Sequence, residues 1–225
     1  TRCCASAHFP TSVGKKDGAG VRLMYTPPAF RMTDESEMRS VMRTYDFALV
    51  LVPGMPDLAA THMPLKLADE RQVLIGHVAA ANPMADAIRQ GKEAIAVFSG
   101  PHAYVSPTWY ANPSVNVPTW NYVAVHAFGT LVPLEGEEAE RALSSQVADF
   151  EAEWRITHID PKRRARLEAA IQVFEFEIHR LEGKAKLSQN KPVEERLRLA
   201  HALNERGEHA VAFHMVEDQE DDEDE

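Results

Sequence analysis

The apolar positions along the chain fall into short runs that predict β-strands. Phe174, Phe176 and Ile178 alternate with charged or polar residues, which is the period of two that is typical of a strand with one wet face. Apolar runs bounded by turn residues predict further strands at 47–52, 60–68, 73–79, 94–99 and 118–134. Glycine and prolines interrupt residues 100–110, and polar residues dominate 180–190, so both segments are predicted to lie outside the strands.

Helical spacing of apolar residues is found in five stretches. It predicts helices at 35–45, 84–90, 137 to about 154, 162–170 and 192–207. Asp34, with Glu37 three residues later, resembles a capping box before the first of these helices. Asn82 before Pro83 is a typical N-cap, and Gly91 is typical of the end of a helix.

Six or more short strands, with few helices and no regular strand-helix alternation, favour a mainly β fold. We expect a small antiparallel barrel with helices packed outside it. Side chains fill the interior of such a barrel, so any ligand is expected on its outer wall or at a subunit boundary. We divide the chain into a flexible leader at 1–23, a barrel domain at 24–210 with a helical region from about 137, and a disordered acidic tail at 217–225.

The net charge of −10 comes mostly from the end of the sequence. Residues 217–225 hold eight acids, and removing these from the total of 34 leaves 26 acids against 24 Lys and Arg. The two cysteines, Cys3 and Cys4, are adjacent, which favours a reducing compartment. Because no apolar run is long enough to span a bilayer, we expect a cytoplasmic protein without membrane contact.

Motif searching narrows the classes of function. There is no glycine-rich phosphate loop and no His-Glu-x-x-His pattern, and we predict neither a metal site nor a dedicated catalytic acid or nucleophile. The basic run of Lys162, Arg163, Arg164 and Arg166 is not part of a helix-turn-helix pattern, and the chain is acidic overall. We therefore do not expect direct nucleic-acid binding.

Residues 118–129 form the strand that is richest in hydrogen-bonding groups. Trp120, Asn121 and Tyr122 place an indole, an amide and a phenol side by side, which could hold a flat polar ligand. The alternative is an aromatic strand whose polar tips merely meet water. Lys184 and Lys186 precede three hydrogen-bonding side chains, so this segment is interpreted either as a phosphate clamp or as a solvated loop.

Four histidines lie in predicted strands or their connections. They are His62, His77, His102 and His126. Imidazoles that converge in space could bind a metal or a haem iron. The alternative interpretation is a set of separate surface or core histidines.

Six sequence blocks, in order, resemble the PaiB family. They are Met24-Tyr25 with Pro27 and Phe30, residues 60–65, Gly76-His77 with Asn82-Pro83, residues 100–110, residues 118–126 and residues 182–190. The blocks extend from residue 24 to about 207. The resemblance implies an FMN-binding split barrel, usually a homodimer with the flavin at the subunit boundary, and a negative transcriptional regulator.

The resemblance also implies a set of cofactor contacts. These are Thr61, His62, Pro64, His77, Asn82, Trp120, Asn121, Lys184 and Lys186. The flavin ring is expected against strand backbone and Trp120, and the phosphate against hydroxyl, amide and lysine groups. One departure is Ala80, where the family is expected to carry arginine; its loss weakens a phosphate contact by about 1.5 to 3 kcal/mol unless a lysine substitutes.

FMN binding is therefore the leading hypothesis, and a flavin-dependent oxidoreductase is the enzyme class that it leaves open. Haem binding or breakdown on the same barrel is the alternative, because of the four histidines and the missing arginine. A third hypothesis is a regulatory or scaffolding protein that acts through partners without a cofactor.

Overall fold

The computed structural model describes residues 24–54, 59–68 and 71–216. The predicted leader at 1–23 and acidic tail at 217–225 lie outside the described residues. The strands are β1 Arg31–Met32, β2 Phe47–Val52, β3 Ala59–Pro64, β4 Lys66–Ala68, β5 Val73–Ala79, β6 Glu93–Val105, β7 Thr119–Leu134 and β8 Ile171–Lys186. The helices are α1 Glu35–Thr44, α2 Met84–Arg89, α3 Gly136–Phe150, α4 Pro161–Glu168, α5 Val193–Asn204 and α6 His209–His214.

The strands form one antiparallel sheet that must curl into a barrel. Its strand order is β3-β2-β6-β7-β8-β5-β4, and β1 pairs with β8. The two outermost strands, β3 and β4, are separated in the chain by Leu65 alone. Six strand spacings of a flat sheet would span about 29 Å, which one residue cannot bridge, so the two edges of the sheet meet. The predicted mainly antiparallel β fold with peripheral helices is confirmed.

Side chains fill the interior of this barrel. Phe98, Phe174 and Phe176 are fully buried there, together with Leu65, whose backbone N–H donates to the Asp46 carbonyl at 2.9 Å. Gly76 makes this packing possible, because a Cβ on it would lie 2.7 Å from the Leu65 side chain and 2.8 Å from that of Phe174.

Two strands are longer than the sequence predicts. β6 does not end at Ser99; a register shift between Ser99 and His102 lets it continue past Pro101 to Val105, because a β-bulge takes residues out of the ladder without ending the strand. The polar turn predicted at 180–190 is confined to residues 187–190, since β8 continues as far as Lys186 and pairs there with Tyr122. The strand predicted at 60–68 is divided at Leu65 into β3 and β4.

The helices agree better with the sequence. Asp34 caps α1 by accepting the Ser36 N–H at 2.7 Å, and Gly91 follows α2 with a φ of +61°, a conformation that favours glycine. α3 ends at Phe150, earlier than predicted, and Phe150 and Trp154 are 71% and 41% exposed. α6 was not predicted. Within the described ranges, no helix is both long and apolar enough to cross a membrane.

The pairing of β7 with β8 depends on the absence of a side chain at Gly129. A Cβ there would lie 1.9 Å from the Glu177 carbonyl oxygen. We expect Gly129→Ala to lower the free energy of unfolding by about 3 kcal/mol or more, as measured by urea denaturation. Gly136→Ala is the control, because Gly136 has open space around it and a φ of +54°, so it should cost only about 1 kcal/mol. Equal losses for the two variants would contradict this account.

Candidate functional site

The residues that the sequence predicted as cofactor contacts lie in separate places on the barrel. Thr61 and Asn82 contact each other, and Pro64 and His77 line a common cavity. Trp120, Asn121, Lys184 and Lys186 lie where β7 begins and β8 ends. His62 is exposed and stacks on Phe47, with 6.1 Å between ring centroids.

Thr61 and Asn82 form a small hydrogen-bonded pair. The Asn82 Nδ2 donates to the Thr61 hydroxyl at 3.2 Å, and the Asn82 Oδ1 accepts the Met84 N–H at 2.9 Å. The N-cap role predicted for Asn82 is therefore seen in its hydrogen bond, although α2 itself begins at Met84. Ala80, where the resemblance led us to expect arginine, is exposed, so this pair has no cation from that position.

An exposed aromatic patch surrounds Trp120. It consists of His102, Tyr104, Trp109 and Trp120, whose rings contact one another with centroid distances of 6.1 to 6.3 Å. Trp120 is 54% exposed and Tyr104 is 43% exposed. Two further apolar side chains that precede β7, Val115 and Val117, are each 73% exposed. Exposed apolar surface of this kind is typical of a ligand or protein contact.

Two of the residues predicted as cofactor contacts, Lys184 and Asn121, donate hydrogen bonds within the chain that the sequence did not predict. Lys184 is buried, and its Nζ donates to the Tyr25 carbonyl at 3.0 Å between the rings of Tyr25 and Tyr122. Asn121 is also buried, and its Nδ2 donates to the Ser188 hydroxyl at 3.1 Å. Both side chains therefore hold neighbouring chain segments in place.

A pocket with two lysines lies next to the aromatic patch. We call it the lysine pocket; it has a volume of about 190 Å³ and is lined by Asn116, Thr119, Lys186, Ser188, Asn190 and Lys191, among others. Lys186 donates to the Thr119 hydroxyl and, at 2.8 Å, to the Trp120 carbonyl. Lys191 donates to Asn116 at 2.8 Å. Sequence reasoning missed Lys191 because its pocket neighbours Asn116 and Thr119 are more than 70 residues away in the chain.

The lysine pocket shows two signs of an unusual environment. Burial lowers the pKa of Lys186, and the nearby Lys184 ammonium lowers this pKa further. Ser188 is buried with a φ of +67°, which non-glycine residues seldom adopt. Backbone strain of this kind is often found at functional sites.

A larger cavity of about 510 Å³ lies between the barrel and the end of α3. We call it the α3 cavity; its walls include Pro64, Lys66, His77, Gln146, Phe150 and Trp154. Pro64 and His77 were expected from the sequence, whereas Gln146 and Trp154 were not, because they come from a helical region that carries no recognisable motif. His77 Nδ1 lies 3.2 Å from Gln146 Oε1.

The four histidines have separate environments. His77 contacts Gln146, His102 packs near Trp120, and His62 stacks on Phe47. His126 packs near Phe128, and burial lowers the pKa of His126. In the part of the chain that the structure describes, no three His, Cys, Asp or Glu side chains come together to hold a metal ion. Of the two interpretations of the four histidines, convergence on one ion is therefore not seen among these residues.

Comparison with known proteins places these features in a family. A family model described as "Putative FMN-binding domain" matches residues 24–180. The protease synthase and sporulation protein PAI 2 of Bacillus subtilis is 31% identical over 176 residues, which cover 75% of this chain and 83% of that protein.

Solved structures show the same fold at low sequence identity. A conserved hypothetical protein of Mycobacterium tuberculosis has a TM-score of 0.55 at 12% identity, with 75% of this chain and 94% of that chain covered. The FAD and haem binding protein of Mycobacterium smegmatis has a TM-score of 0.51 at 15% identity, with 74% and 78% covered. The split-barrel fold implied by the resemblance is confirmed.

The environment of Lys186 can be tested by titration. Lys184→Met should raise the Lys186 pKa, because it removes a neighbouring positive charge, but not to the ordinary lysine value, because burial remains. NMR titration of the lysine side chains measures this change. Lys191→Met is the control and should change the Lys186 pKa less than Lys184→Met does, since burial and Lys184 are the causes of the shift. A Lys186 pKa that stays the same or falls in Lys184→Met would contradict the assignment.

Proposed function

Since this chain belongs to the PaiB family of FMN-binding domains, we propose that it is a flavoprotein that holds FMN at the boundary between two copies of itself. The observation that carries this proposal is the position of the lysine pocket directly beside the exposed aromatic patch. FMN combines a flat aromatic ring system with a phosphate, and these two surfaces present the complementary chemistry side by side.

The donor groups of this region fit both parts of FMN. Lys186 and Lys191 supply positive charge for a phosphate, and the Thr119 hydroxyl and the Asn116 and Asn190 amides supply neutral hydrogen bonds. Trp120 and Tyr104 offer aromatic surface on which a ring can stack. In this proposal, Lys186 and Lys191 supply the positive charge for the phosphate that an arginine at position 80 would have supplied.

The size and charge of the cavities support a site that two copies share. The lysine pocket has a volume of about 190 Å³, whereas pockets that enclose a ligand are about 300 to 1,000 Å³. The larger α3 cavity is lined by one lysine and three acids, Asp46, Asp149 and Glu151, so it disfavours a phosphate. A second copy placed against the exposed apolar surface around Trp120 would complete the smaller pocket.

A second copy is also needed if Thr61 and Asn82, which were predicted as cofactor contacts, are to reach the flavin that contacts Trp120. In one copy, pairing places Thr61 in a row with Val50, Ala96 and Ala127, and Ala127 is seven residues from Trp120 along β7. This separation is about 23 Å along the strand. We therefore assign Thr61 and Asn82 of one copy, and Trp120 and Lys186 of the other, to the same flavin.

The chain's own residues position the cofactor and control its surroundings. The lysines neutralise and anchor a phosphate, the aromatic patch orients and shields one face of a ring, and buried Asn121 and Lys184 hold the strands that carry these groups. A bound flavin would supply the hydride or electron transfer. We further propose that the regulatory role implied by the family acts in the cytoplasm through partner proteins and not through direct nucleic-acid binding. Arg164 of the basic run pairs with Glu168 at 3.5 Å, and the chain is acidic overall.

The cofactor can be identified by reconstitution. Protein mixed in turn with FMN, FAD and haem should bind FMN most tightly, as measured by quenching of flavin fluorescence and by the visible spectrum. Trp120→Ala should weaken FMN binding about tenfold by removing the stacking surface. Phe213→Ala, which removes an exposed ring on α6, is the control and should not change it. Tightest binding of haem, or equal FMN affinity in Trp120→Ala and the unaltered protein, would contradict the proposal.

A further inference from the structure

The lysine pocket holds positive charge that its own walls do not neutralise. Lys186 donates to the Thr119 hydroxyl and the Trp120 carbonyl, and Lys191 donates to the Asn116 side chain. All of these acceptors are uncharged. Among the described residues that line the pocket, none is an Asp or a Glu. Two ammonium groups in such surroundings attract an anionic group from elsewhere.

Helix α6 brings the chain to the wall of this pocket. Met215, which follows α6, is 2% exposed, and its sulfur accepts from the Asn121 Nδ2 at 3.3 Å. Asn121 lines the lysine pocket, and the next residue, Tyr122, pairs with Lys186 across the sheet. The residues that follow Met215 therefore start from a fixed point beside the two lysines.

Residues 217–225, which we call the acidic segment, contain eight Asp or Glu side chains and one Gln. Counted from Met215, an extended chain covers about 7 Å by residue 217 and about 35 Å by residue 225. Carboxylates of this segment can thus reach the lysine pocket of the same chain. A group tethered by a short linker has an effective concentration in the millimolar range, so even weak ion pairs are populated.

The basic run on α4 is a more distant partner for the acidic segment. Helix α4 precedes the start of β8, where Val173 pairs with Leu134 at the end of β7. Asn121, which contacts Met215, lies near the beginning of β7. The separation from Asn121 to Leu134 is about 43 Å along the strand. The lysine pocket is therefore the nearer of the two cationic sites.

From this geometry we propose that the acidic segment binds the lysine pocket of its own chain and competes there with the phosphate of FMN. The proposal rests on the assignment of FMN to this pocket and adds a means of control to it. The same two lysines bind either carboxylates of the segment or the cofactor. The apparent affinity for FMN then falls in proportion to the fraction of pockets that are free of the segment.

Removal of the acidic segment tests this competition. Protein without residues 217–225 should bind FMN about tenfold more tightly, as expected if the segment occupies the pocket for about nine-tenths of the time. Quenching of flavin fluorescence measures the affinity. Replacing the eight acids with their amides should have the same effect, because the length is kept and the charge is removed. Riboflavin, which has the same ring but no phosphate, should change by less than about twofold.

Two single variants distinguish direct contact from long-range repulsion of an anionic ligand. Lys191→Met removes one proposed partner, so the ratio of FMN affinities without and with the acidic segment should fall toward one. Arg163→Met is the matched control, because it removes an exposed cation of α4 and should leave this ratio at about ten. The same ratio in Lys191→Met as in the unaltered protein would show repulsion without docking and overturn the proposal.

Carbodiimide cross-linking locates the contact without FMN. This reagent joins a carboxylate to a nearby lysine, and mass spectrometry should find the acidic segment joined to Lys186 or Lys191 and not to Lys162. Isotope-labelled and unlabelled chains, co-refolded in equal amounts, should give these links within single chains. Links to Lys162 alone, or only between labelled and unlabelled chains, would overturn the proposal.

The two proposals fail in different ways. Equal FMN affinity with and without the acidic segment would overturn the competition and leave the FMN site standing. Absence of FMN binding in both proteins would instead contradict the proposed function, and the cross-links would still show whether the segment docks.

Discussion

The single-residue connection at Leu65 is the constraint on which the rest of the structure depends. It joins the first and last strands of the sheet order, so the sheet cannot stay open. Closure directs Phe98, Phe174 and Phe176 inward and leaves no room for a ligand inside the barrel. Every surface that could bind a small molecule is therefore outside, where strands end or helices cover the wall.

The distribution of charge then separates two kinds of outer site. Lys186 and Lys191 lie together beside exposed aromatic rings, whereas Asp46 and Glu151 face the larger cavity under α3. An anionic cofactor is favoured at the first and disfavoured at the second, although the second is larger. Under the proposed assignment, Lys186 and Lys191 supply the positive charge that the absence of arginine at position 80 leaves unfilled.

Sequence patterns within a segment predicted several helices and strands correctly, whereas pairing with distant segments determined where other strands end. α1, β2 and β5 follow from helical spacing or apolar runs that each element carries itself. The ends of β6 and β8 could not be predicted, because Pro101 and the polar residues after Arg180 are typical of turns until a partner strand or a bulge accommodates them. Thr61 and Asn82 were both predicted as cofactor contacts, and they contact each other. Lys184 was predicted as a cofactor contact too, but no local pattern indicates its bond to the Tyr25 carbonyl, 159 residues away in the chain. Gln146 and Trp154 carry no motif, so only the packing of α3 on the barrel reveals them.

Subunit complementation is the most direct measurement of whether two copies share one flavin site. Thr61→Glu places a carboxylate on one proposed half of the site, and Trp120→Ala removes the stacking surface from the other; chains with either change would be co-refolded in equal amounts and titrated with FMN. A shared site predicts that about one site in four recovers full affinity, because half of the dimers are mixed and each of these has one intact site. Unaltered chains mixed with the double variant should then recover intact sites only in dimers of two unaltered chains. No recovery in the first mixture, with intact sites in the mixed dimers of the second, would place the whole site within one chain and contradict this account.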